Sequence, residues 1–418
     1  MVRRSELANG LRIVSEHVPG VPSVTAGIWV ESGSRFEPRQ LGGISHYLEH
    51  LLFKGTERRS AAQIAEEIDA VGGVLNAFTG KEYTCYYARV LTEHTALATD
   101  LLADLFLYSR FDPDEIDRER TVILQEISQS EDTPDDYIHD LFSLRYWPDH
   151  PLSFPVCGTV ETVQGLARSD FVDFLNARYR PDRVIVAAAG DITHEALERW
   201  AERDFGHLSG SATGIDGVAP RPARGVFTVE KPLEQVHLLV GAPAVAQDAD
   251  ERYAAYLLNT ALGGGMSSRL FQEIRETRGH AYSVYSFLSA FRDAGYLGIY
   301  VGTAAEWVQE VIGVINAELR AVAREGLRAE ELARSKNQLK GNMLLGLETS
   351  DSRMSRVAKN EIYFKRDVPL AEVAASIDAT TNDAIVALAE RVARPDGLAV
   401  ALLGDLGDHR VDESILAA

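Results

Sequence analysis

The stretch Gly42-Gly-Ile-Ser-His46-Tyr-Leu-Glu49-His50-Leu-Leu-Phe-Lys-Gly-Thr56 sets two histidines four residues apart, with a glutamate just before the second. On a helix, positions i, i+3 and i+4 share a face, so His46, Glu49 and His50 point the same way. Both imidazoles can then reach one zinc ion, and the carboxylate can reach a water beside it. The order H-x-x-E-H reverses the H-E-x-x-H motif of zinc hydrolases. The implied chemistry is metal-assisted hydrolysis, of a peptide bond above all. A helical histidine pair can also be merely packed or solvated. Here the flanks, Leu41-Gly-Gly-Ile-Ser and Leu51-Leu-Phe-Lys-Gly-Thr56, are largely apolar. They predict a buried helix with Gly55 at its C-terminal end. Buried imidazoles and a buried carboxylate need a partner there, and a metal is the most economical one.

A zinc hydrolase needs a third protein ligand and one open position. The segment Asp117-Arg-Glu119-Arg-Thr-Val-Ile-Leu-Gln-Glu126-Ile reads as a helix opened by Asp112-Pro113, with proline in the first turn. Glu119 and Glu126 lie seven apart and share a helical face. One could bind metal while the other orients a ligand, and two ordinary surface carboxylates would show the same spacing.

H-x-x-E-H followed by a glutamate 76 residues after its second histidine (126 − 50) resembles the pitrilysin-type zinc metallopeptidases, the inverzincins. The short members, typified by the mitochondrial processing peptidase β subunit and its bacterial relatives, are the most similar. The likeness spans essentially the whole chain. It includes Gly42 to Thr56, Gly73-Val-Leu-Asn76-Ala77, Phe111 to Glu126, and Leu262-Gly-Gly-Gly-Met-Ser-Ser-Arg-Leu-Phe271. The resemblance implies a zinc-dependent endopeptidase with one zinc ion per chain. His46, His50 and Glu126 would bind it, Glu49 would be the general base, and Glu119 would support a ligand from behind. The main alternative is a non-proteolytic structural or assembly subunit of the same fold, but such subunits tend to lose ligands.

Composition fits a globular enzyme, with 45% apolar and 25% charged residues in 418. That length predicts two or more domains. There is no apolar run long enough to span a bilayer and no apolar signal core after Met1-Val-Arg-Arg, so a cytoplasmic protein is expected. Two cysteines, Cys85 and Cys157, make no disulfide framework. The net charge of −20 argues against nucleic acid and anionic membrane as partners.

The chain repeats itself at half length. A shift of 209 brings Tyr47-Leu48 onto Tyr256-Leu257, Glu67 onto Glu276 and Tyr87 onto Tyr296. Each half runs strand, helix, Gly-containing turn, helix, two strands, several helices and a last strand. Arg183 to Asp191 closes the first half and Gly397 to Asp405 the second. The expected fold is therefore α+β: two homologous layered domains, each a mixed or antiparallel sheet covered by helices. Residues 1–206 would form the zinc domain and 226–418 its metal-free counterpart, joined by a Gly/Ser/Pro/Ala-rich linker over 207–225. The shift places Ala255, Leu258 and Asn259 where His46, Glu49 and His50 stand, so the second half cannot build the same site.

Ser60-Ala-Ala-Gln63 has capping-box form, and Ile64, Ile68 and Val71 supply an apolar stripe before Gly72-Gly73. Val74 to Thr79 and Glu82 to Leu91 read as strands joined at Gly80-Lys81. An edge strand through Asn76-Ala77-Phe78 could accept an extended peptide by strand addition, as the matching strand does in the family. An ordinary paired strand is the alternative. Gly263-Gly264-Gly265 lacks the ending of a P-loop and reads as a flexible turn. Arg275 and Tyr282 resemble the pair that the family's second domain places over the zinc. There Arg275 would bind a substrate carbonyl or carboxylate, and Tyr282 would stabilise the oxyanion. Without the resemblance, Arg275 is a surface residue and Tyr282 a core aromatic. His280 stands where the family usually has an apolar residue. Because two domains make only half of the chamber seen in four-domain relatives, the resemblance also implies a homodimer acting on peptide substrates.

Overall fold

A duplicated order of elements has to bury two sheets, and the computed structural model shows both. It describes residues 2–213, 217–411 and 413–416. Residues 214–216 of the expected linker lie outside the described residues.

The first compact unit comprises Met1–Gln129, Phe154–Gly217 and Gly346–Asp367. Its six-stranded sheet is built from β1 (Val2–Glu6), β2 (Arg12–His17), β3 (Ser23–Val30), β4 (Val74–Thr79), β5 (Thr84–Leu91) and β6 (Val184–Gly190), in the order β1-β2-β6-β3-β5-β4. Only β2 and β6 run parallel; the other neighbours are antiparallel. Its helices are α1 (Ile44–Leu52), α2 (Ala61–Asp69), α3 (Thr95–Tyr108), α4 (Pro113–Glu131), α6 (Val160–Gly165), α7 (Arg168–Arg178), α8 (His194–Phe205) and α12 (Ser350–Phe364).

Alternation along the strands decides what each face meets. Ile13, Ala26, Ile28, Tyr86, Ala88 and Val186 pack against Leu48, Leu101, Phe171 and Leu197 of the helices. Their neighbours Val14, Trp29, Cys85, Ile185 and Ala187 face the other way and pack against Met354, Val357, Ala358 and Ile362 of α12. The Trp29 indole N–H donates to the Met354 sulfur at 3.0 Å. A sheet covered on both faces needs strands apolar throughout, and Val184–Gly190 is buried at every position.

The second unit comprises Ser130–Ser153, Val218–Leu345 and Val368–Ala418. Its sheet takes β7 (Gly225–Val229), β8 (Val236–Pro243), β9 (Ala281–Ala290), β10 (Gly295–Thr303) and β11 (Ala399–Leu403), in the order β7-β11-β8-β10-β9. One face packs against α9 (Arg252–Gly263), α10 (Val308–Glu325) and α14 (Asn382–Val392), with α11 (Ala329–Leu345) and α13 (Leu370–Ala379) beside them. The other face, with Leu239, Tyr296, Ala399 and Ala401, meets Ile138, Phe142 and Tyr146 of α5 (Pro134–Tyr146). Each sheet is thus covered by one helix whose sequence lies in the opposite half of the chain.

Candidate active site

The helix α1 begins where only glycine fits. Gly43 sits at φ +92°, and a Cβ there would lie 2.6 Å from the Cys157 carbonyl oxygen. The amides of Gly43 and Ser45 donate to the two carboxylate oxygens of Glu37 at 2.7 and 2.8 Å, which satisfies two of the helix's free N–H groups. Burial pushes the Glu37 carboxyl up to about 7, against the pull of those bonds. Ile44, Tyr47, Leu48, Leu51 and Leu52 are buried, and the Tyr47 hydroxyl donates to the Ile116 carbonyl of α4. The polar face of α1 is thereby aimed at α4. The helix stops at Leu52, earlier than its apolar flank suggests: the Phe53 and Lys54 amides fold back onto His50 and Leu51 carbonyls at 3.2 and 3.1 Å. Gly55, at φ +111°, serves the next link, where Thr56 bridges to Ser109.

On α4 the buried stripe is Ile116, Glu119, Ile123 and Ile127, so Glu119 occupies a core position and Glu126 its margin. Ligand atoms of His46, His50 and Glu126 all lie within 4.8 Å of one another. His46 Nε2 is 3.5 Å and His50 Nε2 3.7 Å from Glu126 Oε2. A tetrahedral zinc with bonds of about 2.0–2.1 Å holds its donors about 3.3 Å apart, so the residues present fit the ion. Burial first, and the neighbouring His50 second, pull His46 down to about 4, which keeps its imidazole neutral as a ligand must be. His50 Nδ1 pairs with Glu119 Oε2 at 3.1 Å, and Glu119 Oε1 pairs with Lys54 Nζ at 2.7 Å. This relay fixes which His50 nitrogen faces the site. Among the described residues the buried His46 Nδ1 has no hydrogen-bond partner, so the two histidines are held unequally.

Glu49 Oε2 accepts a hydrogen bond from the Thr79 hydroxyl at 2.5 Å. Burial raises the Glu49 carboxyl above its ordinary range and nearby Glu126 adds to this, while Thr79 and His50 oppose it. A carboxylate held somewhat more basic than usual suits proton transfer.

The strand β4 is the last of its sheet, so Asn76, Ala77 and Phe78 lie on an edge. The Ala77 amide donates to the Asn76 side-chain oxygen at 2.8 Å. In the second unit, β9 is likewise an edge strand and carries Tyr282, which is 76% exposed and thus no core aromatic. The Arg275 guanidinium lies 4.7 Å from the Phe271 ring centre and 4.6 Å from that of Tyr282. Arg275 sits on a π-helical turn, Phe271–Thr277, which follows the glycine turn. His280 stacks on Trp307 at 4.1 Å between ring centres and meets Glu310 at 3.2 Å, which settles its packing. Sequence reasoning missed Glu37, Lys54 and Thr79. Only Lys54, four residues after His50, carried any spacing signal.

Residues 12–160 match the family model described as insulinase (peptidase family M16), and residues 165–339 match the one described as peptidase M16 inactive domain. An "uncharacterized zinc protease" of Bacillus subtilis is 41% identical over 98% of this chain and 99% of its own length. The chain belongs to peptidase family M16. Another M16 relative, an "uncharacterized zinc protease" of Streptomyces coelicolor, is 43% identical over 99% of this chain and 92% of its own. The crystal structure of a protease from Helicobacter pylori shares the M16 fold with a TM-score of 0.90 at 21% identity, covering 97% of this chain and 99% of that one. The pitrilysin-like resemblance and the two-domain α+β architecture read from the sequence both hold. The Bacillus and Streptomyces relatives are named zinc proteases, and His46, His50 and Glu126 form a group that could hold a metal ion. Among the described residues no helix is long and apolar enough to cross a membrane.

Proposed function

We propose that the chain is a zinc-dependent endopeptidase that takes peptides or unfolded segments as a strand added to β4. The convergence of His46, His50 and Glu126 beside the Glu49 carboxylate carries this reading. One zinc ion per chain, held by those three residues, supplies Lewis-acid polarisation and water activation. Glu49 accepts the proton of the attacking water and passes it to the leaving amine. Glu119, backed by Lys54, holds the His50 ring in register. The edge of β4 offers backbone groups to an extended substrate, which would displace the Asn76 side chain from the Ala77 amide. Arg275 grips a substrate carbonyl or carboxylate and Tyr282 donates to the developing oxyanion.

Two copies form a homodimer that closes a chamber around the peptide, with each Arg275–Tyr282 pair completing the partner copy's site. The test mixes a Glu49→Gln chain with a Tyr282→Phe chain, each inactive alone, on a quenched peptide library. Partial return of zinc-dependent, chelator-sensitive cleavage supports pairing across the dimer. No return despite proven exchange of subunits means that each chain completes its own site. A zinc-loaded wild-type protein that cuts no peptide would leave the non-proteolytic subunit instead.

A further inference from the structure

Thr79 is the last residue of β4, and across the hairpin it faces Thr84, the first of β5. Its hydroxyl donates to Glu49 at 2.5 Å, the one hydrogen bond that Glu49 receives among the described residues. Behind it, the buried Thr84 hydroxyl donates to the Ser32 carbonyl at 2.9 Å and lies 3.5 Å from the Thr79 oxygen. The hairpin end is therefore fixed to the body of the sheet, and Thr79 extends that fixed point to the middle of α1. A glutamate side chain has three rotatable bonds before its carboxylate, and among the described residues the Thr79 hydroxyl is the hydrogen-bond donor that holds this one.

We infer that Thr79 is a positioning residue: it locks the Glu49 carboxylate to the end of the edge strand β4. The base and the edge that would receive the substrate strand then share one rigid element. A peptide that registers on β4 is placed, by the same strand, at a set distance from the group that takes the proton. Thr79 touches neither the metal ligands nor the substrate in this scheme; it acts through Glu49. The inference rests on the reading of Glu49 as the base.

The experiment compares Thr79→Val, Thr79→Ser and Glu49→Gln, singly and with Thr79→Val placed in the Glu49→Gln background. Zinc content, melting temperature, kcat and KM are measured on one quenched peptide, and the metal-free Thr79→Val protein is crystallised. Thr79→Val should bind zinc and melt like wild type yet lose about 10–100-fold in kcat, because a base displaced by about 1 Å is that costly. KM should stay near the wild-type value, since no substrate contact is removed. Thr79→Ser should restore most of kcat, and the crystal of Thr79→Val should show the Glu49 carboxylate off its wild-type position. In the Glu49→Gln background, Thr79→Val should cause no further loss. The inference is overturned if Thr79→Val turns over normally, if only KM moves, or if its loss is undiminished without Glu49. Should the valine variant fail to fold, Thr79→Ala against Thr79→Ser makes the same comparison. An active Glu49→Gln protein would instead strike down the base itself, a distinct result.

Discussion

On α1, one face carries His46, Glu49 and His50; 209 residues on, α9 carries Ala255, Leu258 and Asn259 at the same places. The first set is polar and partly open, and its two histidines each bring a ligand atom within 4.8 Å of one from Glu126. In the second set Ala255 and Leu258 are fully inside the core of their own unit. The elements that follow also diverge. Helix α2 is regular and closed by the Ser60–Gln63 capping box, while its counterpart is the π-helical turn that presents Arg275 between two rings. Half-buried imidazoles and carboxylates are expensive unless something satisfies them. Where the metal ligands are absent, the same face has gone over to packing, and the irregular turn has taken up a polar display.

That contrast can be broken by changing matched positions. Glu49→Gln should leave zinc content and melting temperature near wild type and lower kcat by at least roughly 10²–10⁴-fold, as the amide cannot accept the proton. At the matched place, Leu258→Ala should cost about 2–5 kcal/mol of unfolding free energy and leave zinc content unchanged. Isotope-dilution metal analysis with chemical denaturation decides both; a stability loss for Glu49→Gln like that of Leu258→Ala would erase the distinction.

The helix starts differ too. Glu37 caps α1, but the matched position is Ala246. Because burial raises the Glu37 carboxyl from 4.5 to about 7, the folded chain keeps a proton that the unfolded chain sheds. The resulting stability is complete below pH 4.5 and is lost as pH rises through 7, by at most about 3 kcal/mol. Metal-free Glu37→Gln should lack this fall, so the wild-type minus variant stability should decline from pH 4.5 to 7. A flat difference would mean that the two amide bonds hold Glu37 ionised throughout.

The smallest effect separates the two glutamates of α4. Glu119→Gln should weaken zinc binding about 10–100-fold, by loosening His50 alone. Glu126→Gln, which removes a ligand, should weaken it far more. Competition with a chromophoric chelator ranks them, and the reverse ranking would exchange their roles.

Much of the site could be read in the sequence because its parts are local. His46, Glu49 and His50 fall within one turn and a half of helix, and Glu119 and Glu126 within two turns. The Ser60 box and the strand Val74–Thr79 also follow from nearest-neighbour rules. What escaped was non-local. Thr79 reaches Glu49 across 30 residues, and Lys54 reaches Glu119 only because the chain leaves the helix after Leu52. The residues of α5 and α12 cannot say which sheet their apolar side chains cover, and each covers the sheet of the other half. The duplication shows where the repeat restarts and is silent on that exchange. The π-helical turn has no composition that distinguishes it from an α-helix.

The exchanged helix α12 bears on how the protein is born. Gly190, the last residue of the first sheet, leaves the ribosome 174 residues before Phe364, the last of α12 (364 − 190). At translation rates of about 5–20 residues per second, that interval is on the order of ten to thirty seconds. Throughout it, Trp29, Cys85, Ile185 and Ala187 lack the α12 side chains that cover them in the finished fold. The amino-terminal half therefore cannot complete this layer of its core until α12 has been synthesised.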